Sequence, residues 1–252
     1  MKVYFVGAGP GDPELLTRKA ERLLKTCRCC IYAGSLVSPE VLGLIPEGAE
    51  KYDSAGLSLE KIIAVCAEAK EKGMDVLRLH SGDPSIYGAI GEQMHELDRL
   101  GIDYEVVPGV SSFQAAAAAL KTELTAPEIS QTIILTRTSG RTPLPPEQEL
   151  EVLARSKATL CIFLSIDQME SIAATLIPSY GPTCPAAVVY RATWPDQRLI
   201  RGTLENLPAK VTEAGIRKTA MILVGPALVR NETVSKLYDR EFSHGFRQGE
   251  KK

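Results

Sequence analysis

The sequence lacks the features that mark membrane-spanning, secreted and nucleic-acid-binding proteins. No apolar run approaches the 18 residues that suggest a membrane-spanning helix. The first residues run directly into a predicted strand, so we expect no signal peptide. The formal net charge is −2, without the basic excess that is typical of nucleic-acid-binding domains. We therefore expect a cytoplasmic protein that binds neither a membrane nor a nucleic acid.

Cysteine and histidine are also sparse, and their spacing indicates neither a disulfide framework nor a metal site. The six cysteines are unevenly distributed along 252 residues. Cys27, Cys29 and Cys30 lie close together, but no second cluster accompanies them as in structural zinc sites. We interpret Cys29 and Cys30 as small apolar side chains of a buried strand, with metal ligation as the less favoured alternative. The three histidines are scattered, and only His80 lies beside a candidate site loop.

Glycine, by contrast, is concentrated in two informative runs. Residues 7–13 follow the apolar run 3–6, and residues 81–84 follow the apolar run 76–79. Each run stands where a predicted strand ends and a predicted helix begins, and ligands bind at that edge of open α/β sheets. Glycine allows close approach of backbone, and a helix N-terminus offers unpaired N–H groups. The sequence therefore predicts two site loops.

Neither loop matches a common nucleotide-binding motif. The dinucleotide fingerprint needs a third glycine where Asp12 stands, and an acidic residue about 20 positions later, which is missing around 29–34. A Walker A loop is excluded because no Gly-Lys-Ser/Thr follows. Asp12 is expected to N-cap the next helix, with Pro13 at its first position. Capping leaves the three glycines before Asp12 unexplained.

Apolar periodicity predicts an α/β protein with two αβα domains. In the first half, near-continuous apolar strands alternate with helices, which is typical of a mainly parallel sheet covered on both faces. The elements predicted there are strands 2–7, 29–33, 75–80 and 103–107 and helices 13–26, 59–72, 85–100 and 112–121. Those predicted in the second half are strands 131–136, 159–164, 185–190, 198–202 and 219–224 and helices 147–155, 168–177 and 204–214. Residues 190–200 resemble a hairpin, so the second sheet is expected to be mixed.

These elements suggest domain boundaries and one unusual loop. The predicted divisions are an N-terminal domain over 1–121, a linker over 122–130, a C-terminal domain over 131–228 and a tail over 229–252. The loop 136–146 joins a strand to a helix and holds two arginines. Arginine favours binding of carboxylate or phosphate groups, although a solvated crossover loop explains this segment equally well.

Taken together, the motifs resemble those of the tetrapyrrole methylase family. They read GAGPGD at 7–12, YAGSLV at 32–37, SGDP at 81–84, VPGVSS at 107–112, LTR at 135–137, YRATWPD at 190–196 and IRKTAM at 216–221. The resemblance continues into the tail at 235–239 and 244–247. Within this family, the segment around Trp194, the arginine loop and the tail are most similar to the branch that methylates corrin precursors.

The resemblance implies an S-adenosylmethionine-dependent methyltransferase, usually a homodimer, that holds its cofactor in the cleft between two domains and releases S-adenosylhomocysteine. Position by position, the implied cofactor contacts are Pro10, Ser81, Gly82, Asp83, Ile86, Ser111, Ser112, Leu164, Ala192 and Ala220. The implied substrate is a tetrapyrrole polycarboxylate. The cations that we expect to face its carboxylates are Arg137, Arg141, Arg191, Arg217 and Lys218. For these five, ordinary surface solubility is the alternative.

One departure from the family concerns acid–base chemistry. Members of the sirohaem branch carry an acid, assigned as proton acceptor, where this chain has Gly34. In the corrin branch that the chain resembles, the attacking ring carbon need not lose a hydrogen. We therefore assign no catalytic residue and expect rate enhancement from positioning, which contributes about 7–11 kcal/mol in well-oriented reactions.

Other functions remain open at this point. A sister enzyme of the family would methylate a different ring position of its tetrapyrrole. Further family members methylate the diphthamide precursor on a protein or modify ribosomal RNA. The near-neutral charge and the absence of a basic, aromatic-rich stretch argue against RNA. A non-enzymatic cofactor-sensing module is also possible, but it would not need the arginine loop.

Overall fold

The computed structural model describes residues 1–140, 142–229, 235 and 239–249. Arg141, one of the predicted substrate cations, and most of the tail motif at 235–239 lie outside the described residues. The strands are Lys2–Gly7 (β1), Cys29–Tyr32 (β2), Glu50–Asp53 (β3), Val76–His80 (β4), Asp103–Val107 (β5), Ile133–Arg137 (β6), Thr159–Phe163 (β7), Pro185–Tyr190 (β8), Arg198–Thr203 (β9) and Ala220–Val224 (β10). The α-helices are Arg18–Thr26 (α1), Pro39–Leu42 (α2), Leu59–Glu71 (α3), Ile90–Arg99 (α4), Ser112–Leu120 (α5), Leu150–Ala154 (α6), Met169–Tyr180 (α7) and Leu207–Glu213 (α8).

The chain divides into two compact units. The first comprises Met1–Ala116 together with Arg191–Arg198, and the second comprises Ala117–Tyr190 together with Leu199–Lys252. The division differs from the predicted domains at three places. Residues 117–121, predicted at the end of the N-terminal domain, belong to the second unit. Residues of the predicted linker 122–130 group with the second unit, where Leu124 and Ala126 are buried. Residues 191–198, predicted inside the C-terminal domain, group with the first unit because they bond to its first glycine loop, as described below.

The first unit contains the parallel sheet that the sequence predicts. Its strand order is β3-β2-β4-β1-β5, and each neighbouring pair is parallel. Apolar side chains are buried on both faces, because helices cover both. Ala20 and Leu24 of α1 pack on one face, while Cys66 of α3 and Leu97 of α4 pack on the other. Two layers of helix around a parallel sheet place the carboxyl ends of these strands along one edge.

The second unit contains a mixed sheet, as the hairpin pattern predicts. Its strand order is β6-β7-β10-β8-β9. Strands β6 and β7 are parallel, whereas β10 runs antiparallel to both β7 and β8. Its core includes Leu160 and Ile162 of β7, Leu176 of α7 and Val211 of α8. The prediction of one mainly parallel and one mixed sheet is confirmed.

The predicted helix over 13–26 is wrong at its start. Residues Pro13–Leu15 form a short 3-10 turn, which Asp12 caps by accepting a hydrogen bond from Glu14 N at 2.9 Å. Leu16 is extended, and α1 begins only after Thr17, whose Oγ1 accepts from Ala20 N at 3.2 Å. A threonine N-cap inside the apolar pattern therefore restarts the helix.

The segment before α4 also departs from the predicted helix over 85–100. Tyr87 and Ala89 have φ values of +54° and +49°, in the left-handed region that side chains disfavour, so α4 begins at Ile90. The short elements α2 and β3 were not predicted. Strand β3 has four residues at the edge of the sheet and a half-exposed pattern, which gives little periodicity to read.

Cys29 and Cys30 are buried in β2, which confirms their interpretation as core side chains. Burial raises the pKa of the Cys29 thiol to about 11. Among the residues that the structure describes, no three His, Cys, Asp or Glu side chains gather as metal ligands would. Within the same residues, no helix is both long enough and apolar enough to cross a bilayer.

Candidate functional site

The two glycine loops bond directly to each other at the carboxyl edge of the first sheet. Because β1 lies between β4 and β5, the loops that follow these three strands are neighbours. Gly82 N donates to Gly9 O at 2.8 Å, and Gly9 N donates to Gly82 O at 3.2 Å. Ala8 N donates to His80 O at 2.7 Å, which continues the ladder past the strand ends. The two predicted site loops are therefore joined by backbone hydrogen bonds.

Glycine is required here because three backbones meet without room for side chains. A Cβ atom on Gly7 would lie 2.6 Å from Gly109 Cα and 2.6 Å from Gly82 O. A Cβ atom on Gly109 would lie 2.8 Å from Gly7 Cα. Gly82 also has a φ of +63°, in the region that favours glycine. Close packing of the three loops thus accounts for Gly7, one of the three glycines that capping could not explain.

Asp83 links the second loop to the third loop, which comprises residues 108–111 between β5 and α5. Its Oδ1 accepts from Ser85 N at 2.8 Å and from the Ser85 hydroxyl, and its Oδ2 accepts from Gly109 N at 2.9 Å. Partial burial raises the pKa of Asp83, but the hydrogen bonds from Ser85 and Gly109 outweigh it, so the pKa lies below its ordinary value. The carboxylate is therefore ionised at neutral pH and places a negative charge at this edge.

The third loop ends in the N-terminus of α5. Ser111 is buried, its N donates to Gln114 Oε1 at 2.9 Å, and its O accepts from Gln114 N and Ala115 N. In the second loop, Ile86 N donates to Asp83 O at 3.2 Å and closes a turn. The first unit thus brings together seven of the predicted cofactor contacts, namely Pro10, Ser81, Gly82, Asp83, Ile86, Ser111 and Ser112.

Ala192, an eighth predicted contact, also belongs to the first unit. It is buried in the segment 191–198, whose Trp194 Nε1 donates to Pro10 O at 2.8 Å. No sequence pattern connects this segment with the first glycine loop. Because 184 positions separate the two residues, no local pattern could have paired them.

The two remaining predicted contacts, Leu164 and Ala220, lie at one edge of the second sheet. Strands β7 and β10 are antiparallel, with Ile162 opposite Ile222, so Leu164, which follows the end of β7, lies at the same edge as Ala220, the first residue of β10. Arg137 ends β6 opposite Phe163, the residue before Leu164. Leu164 is 69% exposed and has a φ of +54°. An exposed leucine held in the left-handed region is the kind of backbone strain that functional sites retain.

Two of the predicted substrate arginines are engaged within the chain. Arg137 donates to the carbonyl oxygens of its own loop, Nη1 to Thr138 at 3.0 Å and to Thr142 at 2.9 Å, and Nη2 to Pro143 at 3.4 Å. Its guanidinium therefore organises the loop. Arg191 forms an ion pair with Asp196 at 2.8 Å.

The other two described substrate cations lie on the surface of the second unit. Arg217 and Lys218 are both exposed and directly precede β10. They are therefore close in sequence to Ala220, at the edge where Leu164 also lies.

Gly34 occupies a tight position in the first unit. Its φ is +53°, and a Cβ atom there would lie 2.9 Å from Ala55 Cβ and 3.1 Å from Asp53 Oδ1. A larger side chain at this position would require its neighbours to move. The structure thus agrees with the absence of an acid at position 34.

The sequence pointed to His80 beside the second loop, but not to Arg78, the buried charged residue two positions before it. Arg78 Nε donates to Gln93 Oε1 at 3.0 Å, and burial lowers the pKa of the guanidinium. His80 is 4% exposed, and no described residue is a hydrogen-bond partner of its Nε2. Burial, together with the charge of Arg78, lowers the pKa of His80 to about 3, so this imidazole is neutral at physiological pH. Arg78 and His80 are two positions apart in β4, so strand alternation places their side chains on the same face of the sheet. This spacing was the signal in the sequence that could have paired them.

Comparison with known proteins places this geometry in a family. Residues 2–208 match the family model described as tetrapyrrole (corrin/porphyrin) methylases. The chain is 49% identical to the cobalt-precorrin-4 C(11)-methyltransferase of Methanocaldococcus jannaschii, over 100% of this chain and 98% of that protein. It is also 49% identical to the precorrin-4 C(11)-methyltransferase of Pseudomonas aeruginosa, over 99% of this chain and 100% of that protein.

Solved structures agree with these relatives. A cobalt-precorrin-4 methyltransferase superposes with a TM-score of 0.88 at 45% identity, covering 91% of this chain and 96% of that one. A uroporphyrin-III C-methyltransferase from Thermus thermophilus, in complex with S-adenosylhomocysteine, superposes with a TM-score of 0.76 at 33% identity, covering 90% and 93% of the two chains. The glycine loops, the two sheets and these similarities together establish that the chain belongs to the tetrapyrrole methylase family.

Proposed function

We propose that this protein is an S-adenosylmethionine-dependent C-methyltransferase of cobalamin biosynthesis. It methylates C-11 of precorrin-4, in the cobalt-containing or the metal-free form, and gives the corresponding precorrin-5. The observation that carries the proposal is the 49% identity, over essentially the full chain, to relatives named for this reaction in both forms. A sister enzyme acting at another ring position is the second candidate, and it is favoured less because the uroporphyrin-III enzyme is only 33% identical.

The first unit suits the cofactor in both charge and size. S-adenosylmethionine carries a sulfonium and an ammonium cation, and Asp83 supplies an ionised carboxylate at the loop edge. Gly82, Ser111 and Ser112 are small, and small residues let ligand atoms approach a loop backbone closely. We propose that these residues, together with Pro10, Ser81, Asp83, Ile86 and Ala192, hold the cofactor, and that Leu164 and Ala220 of the second unit complete the set.

Positioning is the chemical task of the protein in this proposal. The cofactor supplies a methyl group that is already activated on a sulfonium. The bonded loops hold a fixed backbone surface, and preorganisation of this kind contributes about 7–11 kcal/mol in well-oriented reactions. Gly34 offers no proton acceptor, so no step of the proposed reaction depends on a base there.

Because the substrate is a polycarboxylate, we propose that the cationic side chains near this edge of the second sheet bind it. Arg217 and Lys218 are exposed, and Arg137 orders the arginine loop that also contains Arg141. Removing one charge-assisted hydrogen bond costs about 1.5–3 kcal/mol, so we expect Arg217→Ala to lower kcat/KM for the tetrapyrrole about tenfold to a hundredfold. Affinity for S-adenosylhomocysteine should be unchanged.

Arg155→Ala provides the matched control for that variant. Arg155 is an exposed arginine of the same unit at the end of α6, away from the strand end at Ala220. Arg155→Ala should change neither kcat/KM for the tetrapyrrole nor the affinity for S-adenosylhomocysteine. Equal values of kcat/KM for Arg217→Ala and wild type would show that Arg217 serves surface solubility alone.

The experiment that tests the reaction is a product analysis. The purified protein would be incubated with labelled S-adenosylmethionine and, in separate reactions, with precorrin-4, cobalt-precorrin-4 and uroporphyrinogen III. Mass spectrometry should find one added methyl group on a precorrin-4 substrate, and NMR should assign it to C-11. Methylation of uroporphyrinogen III alone would favour the sister enzyme. Cofactor binding without transfer to any substrate would favour a sensing module.

We also propose that the protein is a homodimer located in the cytoplasm, as is usual in this family. Light scattering during size-exclusion chromatography would measure the mass of the particle against the 27.3 kDa chain. Cell fractionation with detection of the protein would test the location.

A further inference from the structure

We infer that residues 191–197 act as a clamp that fixes the first glycine loop in the shape that receives the cofactor, with Trp194 as the central positioning residue. This inference rests on the proposed function, because it takes Pro10 and Ala192 to be cofactor contacts. It adds a role for Thr193 and Trp194, which are not among the proposed cofactor contacts. We call residues 191–197 the clamp.

The clamp forms hydrogen bonds with two residues of the loop, Pro10 and Asp12. Trp194 Nε1 donates to Pro10 O at 2.8 Å, and Thr193 Oγ1 accepts from Asp12 N at 3.0 Å. On the loop's other side, the buried Ser38 donates through Oγ to Gly11 O at 2.5 Å. The backbone polar groups of the loop are therefore committed to fixed partners, and the loop cannot shift without breaking them.

Gly11 shows how closely the indole lies on the loop. A Cβ atom on Gly11 would overlap Cδ1 and Nε1 of Trp194 and would lie 3.1 Å from its Cγ. Glycine is favoured here for two reasons: the indole occupies the space of a side chain, and the φ of +155° disfavours residues other than glycine. Gly11 and Trp194 are thus a complementary pair: Gly11 lacks a side chain, and the Trp194 indole packs in the space that the side chain would take.

The clamp is itself held in an unusual conformation. Arg191 and Thr193 have φ values of +43° and +70°, on either side of Ala192. Trp194 N donates to Arg191 O at 3.0 Å, and Thr193 N donates to Gln197 Oε1 at 2.8 Å. Strained backbone of this kind persists only where surrounding contacts determine it.

The Arg191 guanidinium packs against the face of the Trp194 indole. Its guanidinium carbon lies 4.8 Å from the centre of the Trp194 ring, within the range of a cation–π contact, and its Nη1 is 2.8 Å from Asp196 Oδ2. We therefore assign Arg191 to the clamp and not to the substrate. The arrangement couples two proposed cofactor contacts, since Ala192 lies inside the clamp and Pro10 lies beneath it.

The test measures cofactor and substrate constants separately in clamp variants. Trp194→Phe keeps an aromatic ring over Gly11 but loses the N–H donor, Trp194→Ala loses both, and Thr193→Val removes only the acceptor for Asp12 N. Loss of one hydrogen bond should raise KM for S-adenosylmethionine about fivefold, and Trp194→Ala should exceed either conservative variant. KM for the tetrapyrrole should be unchanged, and kcat at saturating cofactor should be retained.

A double-mutant cycle separates positioning from general destabilisation. In the wild-type background, Gly11→Ala should raise KM for S-adenosylmethionine, because the new methyl group displaces the indole. In the Trp194→Ala background the same change should have a smaller effect, since no indole remains to be displaced and only the backbone strain at the Gly11 φ of +155° is left. Gly91→Ala is the control, because no atom lies within 4 Å of a Cβ there. Additive effects of Gly11→Ala and Trp194→Ala would overturn the pairing.

Trp194 is the only tryptophan of the chain, so its fluorescence reports the clamp directly. Gly11→Ala should shift its emission to longer wavelength, and Gly91→Ala should not. If Trp194→Phe, Trp194→Ala and Thr193→Val all keep the wild-type KM for S-adenosylmethionine, the clamp has no role in binding and the inference fails. If the wild-type protein binds no S-adenosylhomocysteine in calorimetry, the proposed function itself fails and the clamp's role with it.

Discussion

The two edges that carry the predicted contacts are built in different ways. In the first unit, Gly7, Gly82 and Gly109 bring three loops together backbone against backbone, and Asp83 bonds two of those loops. In the second unit, the edge exposes a side chain, Leu164, which is 69% accessible. The first edge cannot change without disturbing the sheet that supports it, whereas the second can vary its side chains. Folding and ligand geometry should therefore be coupled in the first unit and separable in the second.

The two edges also differ in the sign of the charges that they carry. The first edge presents the ionised Asp83 above a neutral, buried His80. The second carries the exposed cations Arg217 and Lys218 just before β10. An anionic edge suits a cationic cofactor, and cationic side chains suit a polycarboxylate substrate. This contrast supports the proposal that the first edge binds the cofactor and the second edge binds the tetrapyrrole.

The largest effect is expected for Gly7→Ala. The new Cβ atom would lie 2.6 Å from Gly109 Cα and from Gly82 O, and backbone atoms cannot move aside as a flexible side chain does. Overpacking typically costs about 1–3 kcal/mol, and we expect the upper end of that range because the conflict is between backbones. Urea unfolding should show the loss of stability, and calorimetry should show that S-adenosylhomocysteine binding falls with it.

Gly48→Ala is the matched control for that substitution. Gly48 belongs to the same unit, has no left-handed φ, and has no atom within 4 Å of a Cβ at that position. Its replacement should change neither unfolding nor binding. If Gly7→Ala lowers stability and leaves cofactor affinity intact, the proposed coupling at the first edge is refuted.

An intermediate effect is expected from His80, through the pH dependence of stability. The pKa of His80 is about 3 in the folded protein and about 6.5 when unfolded, so below pH 6.5 the unfolded state binds the proton and the folded state does not. The contribution of His80 to the free energy of unfolding is therefore fully present above about pH 6.5 and is lost as pH falls toward 3. At pH 5 the loss amounts to about 2 kcal/mol, at 1.36 kcal/mol per pH unit.

Urea unfolding of His80→Gln at about pH 7.5 and pH 5 tests this expectation. The variant should lose less stability than the wild type between the two pH values, because it no longer carries a buried group that the unfolded chain protonates. His95→Gln is the control, since His95 is an exposed residue of α4. A wild-type slope in the His80→Gln protein would show that another group causes the pH dependence.

Features with a local pattern were predictable from the sequence. The alternation of apolar strands and helices predicted both sheets, and the two glycine runs predicted the loops that the structure bonds together. The buried state of Cys29 and Cys30 followed from the apolar run around them. In each case the information lay within a few neighbouring residues, and it was therefore legible without a structure.

Features that depend on distant residues were not predictable. The sequence did not show that Trp194 covers Gly11, or that Gly7 and Gly109 touch, because these contacts join segments far apart in the chain. The start of α1 was misplaced since Thr17 caps it within an apolar stretch that otherwise reads as one helix. Arg137 was predicted as a substrate cation from its residue type, whereas its hydrogen bonds to the loop carbonyls required coordinates.

The smallest effect is expected for Leu164→Ala, and it tests the second edge. Exposed positions away from special contacts usually change the free energy of unfolding by less than about 0.5 kcal/mol, so stability should barely move. Truncation removes part of the apolar surface that we propose meets the cofactor, and removing one buried methylene equivalent costs about 0.8 kcal/mol, or roughly fourfold in affinity. Calorimetry with S-adenosylhomocysteine and urea unfolding would measure both quantities on the same preparation. Weaker binding at constant stability would confirm that ligand geometry and folding are separable here, in contrast to Gly7→Ala. A parallel fall in both would show that the second edge is as tightly tied to its fold as the first.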